Sequence, residues 1–214
     1  MKNIIRKSGP TAVAIVITIV LCCLFIPTTK TTTTSNSGPK VNKINGDVLT
    51  VDNKEVHLSG KMLTKGDKVD MDYTLDGPAP VIEGQKTTNL KKIKGVKVIE
   101  TVPSLDTPVC SMQTAELNML APKHKDVTFI IISQDLPFAQ SRYCGAKGIN
   151  KNVKVFSDYK DREFSNKNSL LVNETQLNSR TILVLNEDNK VIYSEYAKEI
   201  TKSLDLQKAL DSIK

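Results

Sequence analysis

Apolar and polar residues alternate with a period of two just after the first forty residues of the chain. Residues 43–51 and 54–58 carry this alternation, and Asp52-Asn53 stands between them. Such alternation is typical of half-buried strands, and Asp and Asn favour the tight turns that join them. The pattern therefore predicts an N-terminal β-hairpin.

Stronger strand and helix patterns follow in the middle of the chain. Residues 95–101 are rich in β-branched side chains, and residues 127–133 are almost continuously apolar, which is typical of a strand buried on both faces. Between them, the apolar residues of 109–120 have helical spacing, and Pro122 closes the pattern. We therefore predict a strand, a helix and a second strand in succession.

The remaining predicted elements continue this alternation towards the end of the chain. They are a short helix over 137–145 that Gly145 ends, a strand over 153–156, a hairpin of strands over 181–185 and 191–196, and a terminal helix over 204–213. Because strands and helices alternate and a hairpin comes late, this order predicts an α/β fold with a central mixed sheet flanked by helices.

The N-terminal segment has a different pattern. Residues 11–26 are sixteen residues without a charge, and they follow a basic start over residues 1–7. As a helix this run would span about 24 Å, which lies between a signal-peptide apolar region and a full membrane span. Because no Ala-x-Ala type cleavage site follows, we predict an uncleaved membrane anchor over residues 1–27, with a cleaved signal segment as the alternative.

Further features of this segment bear on its topology. Cys22 and Cys23 raise the alternative of a lipid-modified cysteine, although no small residue precedes them; apolar side chains in an apolar helix are the simpler interpretation. The basic start is expected to stay in the cytoplasm and to place the rest of the chain outside. Residues 28–40 are Thr-rich and read as a linker, so the folded domain is expected over residues 41–214.

Composition and charge exclude several classes of function. The chain has 214 residues, 39% of them hydrophobic, which suits one folded domain. Its net charge is +7, but residues 1–40 hold five Lys or Arg and no acid, which leaves 25 basic against 23 acidic residues in the predicted domain. A nucleic-acid partner is therefore not expected. With no CxxC motif and only two histidines, the sequence predicts no metal site and no other cofactor.

Cys110 and Cys144 are the two cysteines of the predicted domain, and the first has a chemically favourable position. Cys110 follows an apolar strand and opens the helical pattern, so we expect it in a first helical turn. Unpaired N–H groups and the helix dipole stabilise a thiolate there, and the thiolate is the nucleophilic form of cysteine. Thr107 can place a hydroxyl at the same helix end or cap the helix, and the two roles are compatible.

Two motifs around these cysteines resemble signatures of the thiol peroxidase family, the atypical two-cysteine peroxiredoxins on the thioredoxin fold. Residues 103–110 read PSLDTPVC and residues 135–144 read DLPFAQSRYC, and the spacing of the cysteines also matches. The resemblance covers roughly residues 46–214. Departures are Pro108, where glycine is common, the polar pairs Asn168-Ser169 and Asn178-Ser179, and Glu100, which we expect at the solvated end of its strand.

The resemblance implies a role for individual residues of this chain. Cys110 would be the peroxidatic cysteine and Cys144 the resolving cysteine. Thr107 would hydrogen-bond the thiolate and the peroxide, Arg180 would be the active-site arginine, and Pro103 would shield the reacting sulfur from water. Fixed donors and a permanent cation suit the cleavage of an O–O bond, because negative charge builds on the departing oxygen.

The implied cycle reduces hydrogen peroxide and alkyl hydroperoxides. Cys110 would become a sulfenic acid, condense with Cys144 to an intramolecular disulfide and be recycled by thioredoxin or a thioredoxin-like donor. The two cysteines would need local unwinding to meet. A homodimer is expected, tethered to a bacterial cell membrane through residues 11–26, or secreted if the segment is cleaved.

Two other functions compete with this interpretation. A membrane-tethered thiol–disulfide oxidoreductase on the same fold would use a CxxC motif, but Thr107 stands where its first cysteine would be. A non-enzymatic domain would use Cys110 and Cys144 for one structural disulfide. Peroxide consumption by the purified domain separates the three.

Overall fold

The computed structural model describes residues 46–79 and 86–213. The predicted anchor over residues 1–27 and the predicted linker over residues 28–40 lie outside the described residues. In the described part of the chain, no helix combines the length and the apolar character that a membrane crossing requires.

The described residues form nine strands and four helices. In chain order these are β1 (Val48–Val51), β2 (Lys54–His57), β3 (Thr74–Asp76), β4 (Thr87–Asn89), β5 (Val96–Thr101), α1 (Pro108–Leu120), β6 (Val127–Ser133), α2 (Pro137–Lys147), β7 (Val153–Ser157), α3 (Glu163–Lys167), β8 (Thr181–Leu185), β9 (Val191–Tyr196) and α4 (Leu206–Asp211). Short 3₁₀ turns lie at Leu90–Lys92 and Ala121–Lys123.

Seven of the strands form one mixed sheet in the order β4-β3-β7-β6-β5-β8-β9. The central strands β5, β6 and β7 are parallel, and β3, β4, β8 and β9 add antiparallel pairs on the two sides. The predicted mixed sheet flanked by helices is therefore confirmed. The parallel arrangement brings the carboxyl end of β5, which leads to α1, beside the carboxyl end of β6, which leads to α2.

The predicted N-terminal hairpin is also confirmed. Strands β1 and β2 pair antiparallel as a separate two-stranded sheet. Asp52 and Asn53 join them with φ angles of 51° and 62°, and this left-handed pair is the turn geometry that matches the twist of a hairpin. Leu49 and Val56 are buried with Leu58, Val172 and Ile200, so the hairpin packs on its own small apolar cluster.

The main sheet is buried on both faces. One cluster includes Val98, Phe129 and Ile131, and the other includes Ile99, Ile130 and Ile132. Successive residues of a strand point to opposite faces, so each central strand contributes to both clusters. Every residue of β6 except Thr128 is buried, as its continuous apolar run predicts.

The prediction that Gly145 ends the second helix is wrong. Helix α2 continues through Gly145 to Lys147, and the backbone leaves the helix at Gly148, where φ is 68°. Glycine inside a helix costs only about 1 kcal/mol relative to alanine, so α2 accommodates Gly145. A positive φ is a backbone conformation that glycine adopts without steric cost, and Gly148 supplies it at the end of the helix.

Candidate active site

Cys110 lies in the first turn of α1, as its sequence position predicts. Its side chain is 1% exposed, and its Sγ atom has two polar neighbours. The Thr107 hydroxyl oxygen lies 2.8 Å from Sγ, and Nη2 of Arg180 donates to Sγ over 3.2 Å. The Arg180 guanidinium and the Thr107 hydroxyl thus both contact the buried sulfur of Cys110. The sulfur lies at a helix N-terminus, where the helix dipole also favours negative charge.

Thr107 occupies the N-cap position of α1, but its side chain makes no capping hydrogen bond to the helix. Its hydroxyl lies 3.0 Å from the carbonyl oxygen of Ser104 and 2.8 Å from Cys110 Sγ. The single hydroxyl proton serves either acceptor. It can donate to a thiolate, or donate to Ser104 while its oxygen accepts from the protonated thiol, so both forms of Cys110 are satisfied.

Arg180 is held rigidly at the start of β8. It is 2% exposed, and its Nε donates to the carbonyl oxygen of Ile200 over 2.9 Å. Nη2 contacts Cys110, whereas Nη1 has no hydrogen-bond partner among the described residues. A planar guanidinium fixed in this way keeps donors for a further acceptor beside the sulfur.

Cys110 and Arg180 open onto a pocket of about 280 Å³. Thr107 and Pro103 line it as well, so four of the five predicted site residues share one cavity. The remaining lining residues are Val51, Pro108, Val109, Thr175, Leu177, Asn178, Ile200 and Thr201. Asn178, one of the polar departures from the family pattern, therefore stands in the pocket wall.

Asp135 anchors the loop that carries the first motif, and sequence reasoning did not single it out. Its carboxylate accepts from the Ser104 hydroxyl over 2.6 Å, from the Leu105 N–H over 2.7 Å and from the Ser133 hydroxyl over 2.7 Å. Asp135 is the first residue of the second motif, and this position is the sequence feature that could have indicated its role. The first residue of one motif thus fixes the loop of the other.

The prediction that Glu100 stands at the solvated end of its strand is wrong. The side chain is fully buried beneath α1, where it accepts hydrogen bonds from Gln113 over 2.8 Å and Thr114 over 3.1 Å. Burial raises the pKa of Glu100 to about 7, and those hydrogen bonds and the charge of Arg180 offset part of the rise. The carboxyl ties β5 to the helix of Cys110.

Cys144 lies on α2 and does not line the Cys110 pocket. It is half-buried, and burial raises the pKa of its thiol to about 11. Cys110 and Cys144 are both free thiols in this structure. The neighbouring Tyr143 hydroxyl donates to the carbonyl oxygen of Ser111 over 3.0 Å, which joins α2 to the first turns of α1.

The described residues contain no group of three or more His, Cys, Asp or Glu side chains arranged to hold a metal ion. The polar groups around Cys110 are donors, namely a guanidinium and a hydroxyl. Such a set stabilises an anionic sulfur and an oxygen that gains negative charge, whereas a metal ion would require acceptor ligands.

Comparison with known proteins agrees with this chemistry. The family model described as Redoxin matches residues 64–213. Thiol peroxidases of Streptococcus agalactiae serotype V and Bacillus subtilis are 38% and 36% identical to the chain over 160 and 167 residues. These matches cover 74% and 78% of this chain and 93% and 96% of the two relatives.

Solved structures share the fold. A peroxiredoxin-like protein from Aquifex aeolicus superposes with a TM-score of 0.66 and 29% identity, covering 77% of this chain and 94% of that one. The thiol peroxidase from Chromobacterium violaceum gives a TM-score of 0.65 at 20% identity, covering 78% of this chain and 97% of that one. At that identity the second likeness concerns the fold alone.

Proposed function

Since this chain belongs to the thiol peroxidases of the Redoxin family, we propose that it is a thiol-dependent peroxidase that reduces hydrogen peroxide and alkyl hydroperoxides through Cys110. One observation carries the proposal: the Cys110 sulfur lies in a pocket within hydrogen-bonding distance of both Thr107 and Arg180. A buried sulfur with a cation and a hydroxyl beside it is arranged to react as a thiolate.

In the first step the thiolate of Cys110 attacks one oxygen of the hydroperoxide. The S–O bond forms as the O–O bond breaks, and the departing oxygen leaves as water or an alcohol after taking up a proton. The fixed donors of Thr107 and Arg180 stabilise the charge that shifts from sulfur to oxygen. Pro103, at the wall of the same pocket, would limit the access of water to the sulfur.

In the second step the Cys144 thiol condenses with the Cys110 sulfenic acid. The S–S bond forms and water leaves, which conserves atoms and electrons. Cys144 lines a different pocket from Cys110, and a disulfide requires Cα atoms within about 7 Å. We therefore expect α2 around Cys144 and the first turn of α1 to unwind, with loss of the Tyr143–Ser111 hydrogen bond.

We further propose that thioredoxin or a thioredoxin-like dithiol reduces the disulfide. The chemistry supports this class of donor, because two thiols exchanging in sequence return both cysteines to the reduced state without another cofactor. We also expect a homodimer. Exposed apolar side chains on α1 and α2, namely Met112, Met119 and Phe138, support an interface that includes these helices.

The N-terminal sequence supports a location at the membrane. We propose that residues 1–27 anchor the protein in a bacterial cell membrane, that residues 28–40 are a linker, and that the domain of residues 41–214 lies outside the cytoplasm. The support is the uncharged run of residues 11–26 and the basic residues before it. Cleavage of the segment would release the same domain.

Two cysteine variants test the function. Cys110→Ser should lose peroxidase activity, because a serine hydroxyl does not supply an anionic nucleophile at neutral pH. Cys144→Ser should react once and then stop, and a dimedone-type probe should label the sulfenic acid at Cys110 by mass spectrometry. Sustained turnover by the Cys110→Ser variant would refute the proposed function.

A further inference from the structure

Cys144 lines a groove that is distinct from the peroxide pocket, here called the lysine groove. It has a volume of about 630 Å³, and Lys86, Lys92, Lys94 and Lys154 line it together with Cys144. All four lysines are exposed. Apolar side chains, among them Phe156, form the rest of the surface.

The charge of the lysine groove is of one sign. Among the residues that the structure describes, no Asp or Glu lines the groove, and no carboxylate lies within 4.0 Å of the four ammonium groups. The domain as a whole is nearly balanced, with basic residues in small excess. A concave surface that concentrates one sign of charge attracts partners of the opposite sign and raises their association rate.

The lysines stand on parts of the fold that need not move during the cycle. Lys154 lies on β7, Lys92 ends a 3₁₀ turn, and Lys94 lies just before β5. Lys86 lies directly before β4. None is on α1 or α2, so the positive wall persists when those helices unwind to form the disulfide.

The two sulfurs of the disulfide differ as leaving groups. The Cys110 sulfur has the Thr107 hydroxyl and the Arg180 guanidinium within hydrogen-bonding distance, whereas the Cys144 thiol is half-buried on α2 in the reduced form, where burial raises its pKa to about 11. An attacking thiolate expels the better-stabilised sulfur faster, so attack should occur at Sγ of Cys144. In the reduced form Cys144 lines the lysine groove, so the groove borders the segment of α2 that carries the attacked sulfur.

We propose that the lysine groove is the docking surface for the electron donor, a protein dithiol whose surface around its attacking cysteine is acidic. The proposal rests on the cycle proposed above. One donor thiolate attacks Cys144 Sγ, and the Cys110–Cys144 bond breaks as Cys110 leaves with the electron pair. The second donor thiolate then attacks the donor sulfur of the mixed disulfide and releases Cys144, which takes up a proton. The donor is oxidised by two electrons and the disulfide is reduced by two.

Charged peptides test the proposal on the full-length protein. After stoichiometric peroxide, mass spectrometry first verifies the Cys110–Cys144 disulfide. Its reduction is then followed with a Cys-x-x-Cys peptide flanked by four glutamates and the same peptide flanked by four glutamines. We expect the acidic peptide to react about tenfold faster at low ionic strength, and the advantage to vanish at about 1 M salt.

Lysine variants locate the effect. Lys92→Gln, Lys94→Gln and Lys154→Gln combined should remove most of the advantage of the acidic peptide. The matched triple variant Lys61→Gln, Lys65→Gln and Lys167→Gln removes the same charge from exposed positions outside the groove and should keep it. Dithiothreitol, an uncharged dithiol, should reduce all three proteins at the same rate, which verifies that the disulfide and its surroundings are intact.

The possible failures are distinguishable. Equal rates with the two peptides, or equal losses in the two triple variants, would overturn the lysine groove as a docking surface while leaving the peroxidase function standing. Absence of the Cys110–Cys144 disulfide after peroxide would instead overturn the proposed cycle, and the docking proposal with it.

Discussion

At the residue scale, the sulfur of Cys110 depends on one side chain that is fixed at two points. Nε of Arg180 donates a hydrogen bond to the Ile200 carbonyl oxygen, and Nη2 donates one to Cys110 Sγ. The guanidinium plane is therefore fixed before a substrate arrives. Lysine has one ammonium group on a flexible stem and cannot make both contacts while offering a further donor.

Arg180→Lys should therefore lower kcat/KM for hydrogen peroxide by about 100-fold, the size typical of losing one donor to developing negative charge. Stopped-flow measurement of the first oxidation step checks this. The exposed Arg142→Lys is the matched control and should be nearly unaffected. A similar loss in both variants would indicate a general effect on the fold.

Glu100 should make stability depend on pH. Its folded-state pKa of about 7 lies above its ordinary value of 4.5, so between these values the folded protein binds the proton more strongly than the unfolded chain. The free energy of unfolding should then fall as the pH rises from about 4.5 to 7, by on the order of 3 kcal/mol.

Urea unfolding of the wild type and of Glu100→Gln across this range measures the effect. The difference between the two proteins should change with pH, because glutamine does not titrate. A constant difference would mean that Glu100 ionises in the folded protein as it does in the unfolded chain.

Cys110, Thr107 and Pro103 belong to one contiguous motif, and Arg180 lies outside both motifs. Cys110, Thr107, Pro103 and Arg180 share one pocket, as the resemblance implies. Glu100 was misplaced because its burial depends on partners from α1, which no local pattern in β5 reveals. Asp135 was overlooked for the same reason, because its carboxylate accepts a hydrogen bond from Leu105, which lies 30 residues earlier in the chain.

At the element scale, α2 is the helix that must open, and Tyr143 restrains it. The Tyr143 hydroxyl bonds to the Ser111 carbonyl in the first turns of α1, so the bond holds together the two segments that have to separate. A neutral hydrogen bond contributes about 1 kcal/mol, which corresponds to about fivefold in an equilibrium between closed and open forms.

Tyr143→Phe should accordingly form the Cys110–Cys144 disulfide about fivefold faster after peroxide, with the first oxidation step unchanged. Quenched-flow alkylation followed by mass spectrometry resolves the two steps. Tyr159→Phe, which alters a tyrosine outside both cysteine pockets, serves as the control. An unchanged rate of disulfide formation would mean that another contact limits the opening.

The elements that sequence patterns predicted well are those with long apolar runs, such as β6, and those between clear turn residues, such as β1 and β2. The patterns did not predict β3, β4 or α3. These elements have three to five residues each, which is too short for a periodicity to develop. Their positions depend on pairing with strands distant in the chain.

At the scale of the whole molecule, the domain and its N-terminal segment should separate in function. Deletion of residues 1–40 should give a soluble peroxidase with unchanged kcat/KM, because the described core draws on residues from 46 onwards. The full-length protein should sediment with membranes. Fractionation and steady-state assays of the two forms check this, and a full-length protein wholly in the soluble fraction would contradict the anchor.

Strand β1 of the N-terminal hairpin is hydrogen-bonded to the segment that holds Arg180 in the active site. The Thr50 N–H donates to Lys198 and the Thr50 carbonyl accepts from Ile200, whose own carbonyl holds Arg180. Val51, the next residue of β1, lines the peroxide pocket itself. A displacement of β1 at Thr50 would therefore shift the residue whose carbonyl oxygen holds Arg180. A label or surface attachment intended to leave catalysis undisturbed should therefore be placed on an exposed residue away from β1.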